Sequence, residues 1–412
     1  MNKINNIPKR RFPQFTDAWE QRKLGDIGAD FIGGGTPNTG NESFWNGQIP
    51  WVQSSDIKED HVLDITPKKF VSEQGLQKSA AKLIPKNSIA IVTRVGVGKV
   101  SLVPFDYATS QDFLSISNLK IDELFATYGT YRLLKSESKK VQGTSIKGIT
   151  KADLLQKTIK IPTNPAEQTA IGDFFRRLDG LITLHQRKLE HTQTLKKGLL
   201  QKMFPQNGQN IPEIRFPQFT DDWELEELGK VLDLLKDGTH GTHKDVQETG
   251  AFLLSAKNIK NGKVNFDETD RKISLTDFQS IHKNFNLQKG DVLLTIVGSI
   301  GETAVLEDVE NITFQRSVAY LRPKKELLSD FLFFTIQTEK FQNELKKRQV
   351  ISAQPGIYLG DLSIIPIQTT TPAEQTAIGG FFRRLDRLIT LHQRKLEHLK
   401  QLKKSLLQQM FV

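Results

Sequence analysis

Hydrogen-bonding side chains near glycine-containing turns are the groups in this 412-residue chain whose types and spacing could do chemistry. Arg pairs with the edge of guanine and Gln with that of adenine, whereas Lys, Ser and Thr commonly hold phosphates. The chemistry that these residues suit is the binding of nucleic acid. The candidate DNA contacts are Ser54, Ser55, Lys58, Arg94, Lys99, Gln111, Ser145, Lys147, Thr239, His240, Lys257, Asn258, Thr295, Ser299, Gln315, Arg316, Ser352 and Gln354.

The segment Gly96-Val-Gly-Lys99 follows an apolar run and invites comparison with a phosphate-binding P-loop. It departs from that motif, because Thr93 stands where the first glycine belongs and Val100 stands where Ser or Thr should follow the lysine. Its counterpart, Gly298-Ser-Ile-Gly301, has no lysine. Two interpretations stay open: a glycine hairpin, or a turn that lets the backbone approach DNA closely.

Two further pairs of segments align between the halves of the chain. Gln111-Asp112 corresponds to Gln315-Arg316 at a spacing of 204 residues. A shared Gln beside a changed neighbour would suit two domains that bind different bases, and the alternative is a buried Gln that bonds to the backbone. The glycine loops Gly143–Ile149 and Val350–Ile357 also align, and such loops are typical of phosphate contacts or of plain connections.

Motifs for catalysis are missing from the sequence. It contains no Gly-x-Ser-x-Gly, no His-Glu-x-x-His, no P-loop lysine and no Asn-Pro-Pro-Tyr of the kind found in amino-methyltransferases. It contains no cysteine, which excludes disulfides and thiolate metal sites. His240 and His243 are close in sequence, but no carboxylate cluster accompanies them. The sequence therefore predicts a chain that is not an enzyme and has no cofactor or metal of its own.

The overall charge points to the class of partner. The formal net charge is +10 and the pI is about 9.4, which favours a polyanionic partner, although an ordinary solvated basic surface is the alternative. No run of 18 apolar residues occurs, and the first residues lack the apolar core of a secretion signal. We therefore expect a cytoplasmic protein.

The elements that must position these side chains occur twice. Pro165–Glu190 returns as Pro372–Glu397, and only two of its 26 positions differ. Upstream, Arg11–Glu20 returns as Arg215–Glu224. The residues between these repeated segments have diverged, so the pattern predicts one scaffold that presents two different recognition surfaces.

Each repeat ends in a long predicted helix. Prolines stand before the helix and none occurs within it, and apolar residues follow at steps of three and four, from Ile171 to Met203 and from Ile378 to Met410. Helices of this length need a partner along their apolar stripe, and we expect the two to pack antiparallel as a coiled coil with pseudo-twofold symmetry. The candidate residues for contact with a partner protein are Phe174, Phe175, Arg176, Arg177, Phe381, Phe382, Arg383 and Arg384.

The diverged regions contain short β-like runs, including Ser88–Thr93 and Asp291–Val297, and predicted short helices at 122–134 and 329–345. These patterns predict an α+β fold with two mixed α/β domains, each followed by a long helix. The predicted segments are 1–164, the first domain; 165–204, the central helix; 205–371, a linker and the second domain; and 372–412, the C-terminal helix.

Several segments resemble one known family. Gly33-Gly-Gly-Thr-Pro37 with Phe44–Trp51 resembles the opening of a target recognition domain in the specificity subunit of type I restriction–modification enzymes. Asp237-Gly-Thr-His240 with Ala256–Gly262 resembles another version of that opening, although His243 stands where the family version often has Pro. Pro-Ala-Glu-Gln-Thr-Ala-Ile before a long helix is similar to the helical regions of the family.

The resemblance implies that each domain binds one half of a bipartite DNA sequence and that the helices set the spacer between the halves. It also implies that two methyltransferase subunits dock on the helices and bring S-adenosylmethionine, while restriction subunits bring ATP- and magnesium-dependent chemistry. The alternatives are a free-standing bivalent DNA-binding regulator and a protein scaffold that does not bind DNA.

Overall fold

A computed structural model describes residues 7–140, 148–206, 208–247, 250–350 and 355–411. The chain divides into two compact units. The first unit contains the residues up to Arg187 together with Gln393 onwards, and the second contains Lys188–His392. Both boundaries fall inside long helices, so each unit combines the beginning of one long helix with the end of the other. No helix in the described ranges is long and apolar enough to cross a membrane.

The first unit is built from two β-sheets, a strand pair and helices. Its strands are β1 (Glu20–Lys23), β2 (Gly28–Gly33), β3 (Ile49–Val52), β4 (Lys69–Val71), β5 (Ser88–Val92), β6 (Val100–Val103), β7 (Ala108–Thr109), β8 (Phe113–Leu119) and β9 (Thr158–Ile161). Its helices are α1 (Glu73–Gln77), α2 (Glu123–Lys140), α3 (Lys151–Gln156) and the first part of α4 (Pro165–Lys202). The strand orders are β2-β8-β5-β6 and β4-β3-β7, and β1 pairs with β9.

The second unit repeats this topology with different residues. Its strands are β10 (Glu224–Glu227), β11 (Leu232–Asp237), β12 (Ala251–Leu254), β13 (Ile259–Lys260), β14 (Lys263–Val264), β15 (Lys272–Ile273), β16 (Val292–Thr295), β17 (Thr303–Val305), β18 (Ile312–Phe314), β19 (Val318–Pro323) and β20 (Pro366–Thr369). Its helices are α5 (Leu275–Ile281), α6 (Ser329–Gln337), α7 (Glu339–Lys347), α8 (Leu359–Ser363) and the first part of α9 (Pro372–Met410). The strand orders are β11-β19-β16-β17 and β15-β12-β18, and β10 pairs with β20. An additional antiparallel pair is formed by β13 and β14.

The mixed character of the small sheets is the same in both units. β3 pairs antiparallel with β4 and parallel with β7, and β12 pairs antiparallel with β15 and parallel with β18. The predicted α+β fold class, with two mixed domains and long helices, is confirmed. The predicted helix at 329–345 is two helices, because the Thr338 side chain accepts a hydrogen bond from Phe341 N and begins α7 there.

Within each unit the two helical segments run antiparallel. In the first unit Lys403 forms a salt bridge with Asp179 at 2.6 Å, and the ring of Phe411 lies 5.8 Å from that of Phe175. The second unit has the equivalent salt bridge, Lys196 to Asp386 at 2.7 Å. The last turn of each long helix therefore enters the core of the unit that the other helix begins.

Candidate functional site

Five segments meet at one end of the sheets in the first unit, and together we call them the first loop cluster: 34–36, 53–58, 93–99, 110–112 and 148–149. Gly35 N donates a hydrogen bond to Thr109 O at 3.0 Å, at the end of β7. Thr93 N donates to Asp112 O at 2.7 Å, and Ile149 N donates to Thr93 O at 2.7 Å. These bonds join segments that are far apart in the sequence, so the cluster has a fixed backbone.

The turn between β5 and β6 is locked by side chains. The Ser54 hydroxyl donates to Val95 O at 2.9 Å, and Lys99 Nζ donates to Ser54 O at 2.9 Å. Gly96 and Gly98 adopt φ angles of +89° and +94°, which glycine tolerates without strain. The structure therefore gives Ser54 and Lys99 a structural task besides the DNA contact that the sequence predicts for them.

Four other predicted residues of this cluster, Ser55, Lys58, Arg94 and Gln111, are exposed. Lys58, Arg94 and Lys99 line one concavity of about 500 Å³. The Gln111 amide oxygen accepts a hydrogen bond from the Thr36 hydroxyl at 2.8 Å, so Gln111 is not the buried residue of the alternative interpretation. The predicted residues of the first half that the structure describes thus lie together in the first loop cluster.

Acidic groups also line this concavity, beside Tyr131 and Lys135. Lys135 Nζ lies 2.8 Å from Asp60 and 3.2 Å from Glu59. Burial opposes ionisation of Asp60, but hydrogen bonds from Lys135 and Tyr131 outweigh it and lower the pKa of this carboxyl. The acids thus neutralise Lys135, and the other positive charges that line the concavity are those of Lys58, Arg94 and Lys99.

Two lysines border the first loop cluster. A Cβ atom on Gly35 would lie 2.3 Å from Ala80 O, so the segment around Ala80 packs tightly on the cluster. Lys78 and Lys82 flank that segment, and both side chains are exposed. In the part of the chain that the structure describes, no carboxylate lies within salt-bridge distance of either. Such unpaired cations suit phosphates next to the recognised bases.

The second unit forms an equivalent cluster, the second loop cluster, from 238–240, 255–258, 295–301, 315–317 and 355–357. Thr239 N donates to Phe314 O at 2.9 Å, and Arg316 N donates to Thr239 O at 3.1 Å. Ile296 N donates to Ser317 O at 2.9 Å, and Ile357 N donates to Ile296 O at 2.9 Å. Three of these four bonds have counterparts in the first cluster, and the bond from Arg316 N is the additional one.

These matched bonds correct the alignment of the predicted base contacts. Thr93 N bonds to Asp112 O and Ile296 N bonds to Ser317 O, so Asp112 corresponds to Ser317. Gln111 therefore corresponds to Arg316, and the predicted pairing of Gln111 with Gln315 is wrong by one residue. The connecting loops of the two units differ in length by single residues, so the alignment of the two halves shifts by one residue at this point. The two clusters thus place a Gln and an Arg at the same point.

Two predicted DNA contacts of the second unit are buried. The Thr295 side chain has no exposed surface, and its hydroxyl accepts from Glu302 N at 2.9 Å inside the turn. Asn258 bonds to Ser255 N at 3.0 Å, Asn265 O at 3.0 Å and Asp270 at 3.0 Å. Because these groups are already satisfied, we reassign Thr295 and Asn258 from direct contact to support of the loops.

The remaining candidates of the second cluster reach the surface to different degrees. His240, Lys257, Ser299 and Arg316 are exposed, and Thr239 and Gln315 are half-buried. His240 Nε2 lies 2.6 Å from Asp237 Oδ2, and Lys257 Nζ lies 3.0 Å from Asp270. Hydrogen bonds from Asn258 and Lys257 lower the pKa of Asp270. Ser145, Lys147, Ser352 and Gln354 lie outside the described residues.

Both ring nitrogens of His243 lie near polar side chains of the second unit. Its Nε2 lies 3.0 Å from the Thr239 hydroxyl, and its Nδ1 lies 3.6 Å from Asp277. Among the residues that the structure describes, no cluster of three metal-ligating side chains occurs.

The residues predicted to contact a partner protein divide into buried and exposed ones. Phe175 and Phe382 are fully buried in the cores of their own units. Phe174 and Phe381 are half-buried, and their rings pack edge-on against Phe12 and Phe216 at 6.1 Å. The two buried phenylalanines cannot offer surface to a partner, because internal packing uses their whole side chains.

The arginines of the same motif also differ. Arg383 is held by Asp330 at 2.6 Å and stacks on the ring of Phe333 at 4.6 Å. Arg176 pairs with Asp173 at 2.8 Å but stays exposed, as do Arg177 and Arg384. The last two therefore remain the best candidates for contact with a partner.

Sequence reasoning missed an exposed apolar face on both long helices. Leu181 and Leu184 in the first unit are 47% and 44% exposed, and the equivalent Leu388 and Leu391 in the second are 45% and 51% exposed. With Arg177 and Arg384 they fall at i, i+4 and i+7, on one side of each helix. We call Arg177, Leu181 and Leu184 the first helix face and Arg384, Leu388 and Leu391 the second. The sequence did contain a signal for these two faces, because the same three residue types occur in both repeats.

A model of one protein family, described as the type I restriction modification DNA specificity domain, matches residues 16–193 and again 220–401. The chain is 24% identical to the type I restriction enzyme MjaVIII specificity subunit of Methanocaldococcus jannaschii over 98% of this chain and 95% of that protein. It is 29% identical to the EcoR124I/EcoR124II specificity subunit of Escherichia coli over 43% and 47% of the two chains.

Two solved structures share the fold. A crystal structure of a type I restriction–modification S subunit from M. genitalium superposes with a TM-score of 0.63 at 16% identity, and covers 98% of this chain and 99% of that one. A chain from a structure of the assembly and conformational transition of a type I system gives 0.54 at 18% identity, over 94% and 96%.

Proposed function

The chain belongs to the type I restriction modification DNA specificity domain family, and on this premise we propose that it is the sequence-specific DNA-recognition subunit of a type I restriction–modification complex. The observation that carries the proposal is the duplicated loop cluster. In each unit three matching backbone bonds join loop segments that carry different exposed side chains. Such an arrangement suits two half-sites of different sequence, one bound by each unit.

We further propose that the chain itself catalyses nothing. A specificity subunit positions DNA for chemistry on other chains, and the charged residues of both clusters are tied to loop geometry or open to solvent. S-adenosylmethionine, ATP and magnesium would then be bound by the methyltransferase and restriction subunits. Because the DNA of the cell is the ligand, we keep the cytoplasm as the proposed location.

Two methyltransferase subunits are the partners that we propose for the first and second helix faces. The two faces have the same sequence, so both suit the same protein. Exposed leucines beside an arginine are typical of the centre of a protein interface. Restriction subunits would join the same assembly. This proposal replaces Phe175 and Phe382 by the exposed leucines as the residues in contact.

Methylation mapping tests the proposed function. The chain is expressed with its methyltransferase subunit, and adenine methylation is mapped by single-molecule sequencing. We expect one bipartite site with an unspecified spacer. Arg94→Gln should relax recognition in one half-site only and Arg316→Gln in the other only, because each arginine lies in a different cluster.

Two outcomes would contradict the proposal. If no site-specific methylation occurred although the complex formed, and the chain alone bound a defined site tightly, a free-standing regulator would be the better assignment. If the complex showed no salt-dependent binding to duplex DNA, the protein scaffold would be favoured. Variants that both altered the same half-site would contradict the assignment of one half-site to each unit.

A further inference from the structure

An apolar side chain stands at the tip of the turn between β5 and β6 in the first loop cluster. Val95 is 75% exposed, more than any other large hydrophobic residue in the described ranges. Arg94 precedes it and is exposed as well. Single exposed apolar residues are common on proteins, so the exposure by itself indicates nothing. The surroundings of Val95 make its position informative.

The tip is held rigidly. Val95 O accepts the hydrogen bond from the Ser54 hydroxyl at 2.9 Å, and Ser54 O accepts from Lys99 Nζ at 2.9 Å. Gly98 N donates to Val92 O at 3.2 Å and closes the turn. Valine is branched at Cβ and has few rotamers. The methyl groups of Val95 are therefore presented to the outside in one fixed place.

The other exposed side chains of the cluster supply hydrogen bonds and charge, which cannot detect an apolar group on the edge of a base. Val95 can contact such a group. In the major groove, thymine differs from the other bases by its C5 methyl group, which binds apolar side chains. Resting on the proposed function, we propose that Val95 contacts the C5 methyl of a thymine in the half-site of the first unit, beside the base that Arg94 contacts.

The second unit lacks this contact. Its equivalent turn is closed by the bond from Gly301 N to Thr295 O at 3.0 Å, which matches the bond from Gly98 N to Val92 O. Counting from those bonds, Gly298 occupies the place of Val95. A glycine has no side chain to meet a methyl group, so thymine recognition of this kind belongs to one half-site only.

Substitution of single DNA atoms tests the proposal. After the site has been mapped, the complex with the methyltransferase subunit is titrated with duplexes in which each thymine of both half-sites, on either strand, is replaced in turn by deoxyuridine. This replacement removes only the C5 methyl. At one thymine we expect about four-fold weaker binding, the factor that corresponds to burial of one methyl-sized group.

Two variants identify the side chain. Val95→Thr keeps the branched shape and the turn but replaces a methyl by a hydroxyl, and Val95→Gly imitates the second unit. Val95→Gly should bind the thymine and deoxyuridine duplexes equally, and Val95→Thr should show a smaller difference than the wild type, because only one of its two γ-groups is still a methyl. Leu225→Ala is the control: Leu225 is 64% exposed on β10, away from both clusters. This variant should keep the full four-fold difference.

The proposal is overturned if no thymine in the half-site of the first unit shows the difference, if the full difference persists in Val95→Gly, or if that half-site contains no thymine. Failure of the proposed function looks different, because the wild-type complex would then methylate no defined sequence.

Discussion

Glu167 and Glu374 connect the two repeated motifs of each unit. Arg11 holds Glu167 through two nitrogens at 2.6 and 2.7 Å, and Arg215 holds Glu374 in the same way at 2.7 and 2.8 Å. The arginines belong to the upstream repeat and the glutamates to the Pro-Ala-Glu-Gln repeat. Part of the sequence identity between the copies is therefore explained by this internal pairing, and not only by the proposed binding of the same partner protein to both helix faces.

Glu167→Gln should lower the free energy of unfolding by about 3 kcal/mol, because removing one charge of a buried pair leaves the other uncompensated. The side chain of Glu167 is fully buried and that of Arg11 is 10% exposed. The matched control is Glu20→Gln, since Glu20 pairs with Arg22 at the surface. Urea unfolding of the full chain measures both. Equal stability of the two variants would contradict the role of the buried pair.

His282 predicts a loss of stability in acid. Its ring lies between Phe278 and Phe285, at centroid distances of 4.5 and 5.0 Å, and burial lowers its pKa. Because the folded-state pKa lies below the unfolded value of 6.5, the unfolded chain binds the proton more readily. The contribution of neutral His282 is therefore complete above that value and is lost as the pH falls below it.

His282→Phe keeps the aromatic contacts and removes the titrating group. Between about pH 7.5 and pH 5.5 its urea midpoint should fall less than that of the wild type, since one acid-sensitive group is gone. An identical fall in both proteins would show that other groups cause the acid sensitivity.

At the scale of elements, each long helix has two apolar sides with different tasks. One side, with Ile171, Leu178 and Ile182, is buried in the first unit. The other side is the helix face that carries Leu181 and Leu184. The same division occurs in α9. Exposed apolar residues grouped on a second side of a helix are typical of an interaction site, which is the physical basis for the docking that we propose there.

Leu184→Asp should weaken the binding of one methyltransferase subunit at least ten-fold, and Leu184→Asp with Leu391→Asp should remove both, because a charge would be buried at each interface. Native mass spectrometry of the complex counts the subunits. Gln193→Asp is the control, since Gln193 is exposed about half a turn around the same helix. Retention of both subunits by the double variant would place docking elsewhere.

At the scale of the whole molecule, α4 spans 38 residues and α9 spans 39, and each begins in one unit and ends in the other. The helices are therefore continuous connections between the two DNA-binding surfaces that we propose. Their length should determine the spacer between the half-sites.

Insertion of four residues after Thr192 in α4, matched by four after Leu399 in α9, adds about 6 Å to each helix. With about 3.4 Å per base pair, the unspecified spacer should lengthen by about one to two base pairs while both half-sites keep their sequences. Methylation mapping measures the spacer, and replacement of four residues at the same places is the control. An unchanged spacer with methylation retained would contradict the role of the helices in setting the spacer.

The order of residues by itself determined the duplication, the two long helices, the α+β class and the absence of catalytic motifs. Local patterns in the sequence indicate these features: periodic apolar residues, prolines at helix starts, and repeated segments. The strands β5 and β16 were predictable for the same reason. The loops that hold the candidate DNA contacts were predictable as loops, because glycine and polar residues mark them.

Only the tertiary structure decided which of these residues face outward. Thr295, Asn258, Phe175 and Phe382 are buried by packing partners distant in the sequence, and no local pattern specifies those partners. The correspondence of Gln111 with Arg316 depends on differences of single residues in loop length. The hydrogen bonds between the segments reveal these differences, whereas an alignment at a constant spacing of 204 residues does not. The exchange of helix ends between the units likewise follows from long-range packing, since the cores need Phe204 and Phe411 from the other repeat.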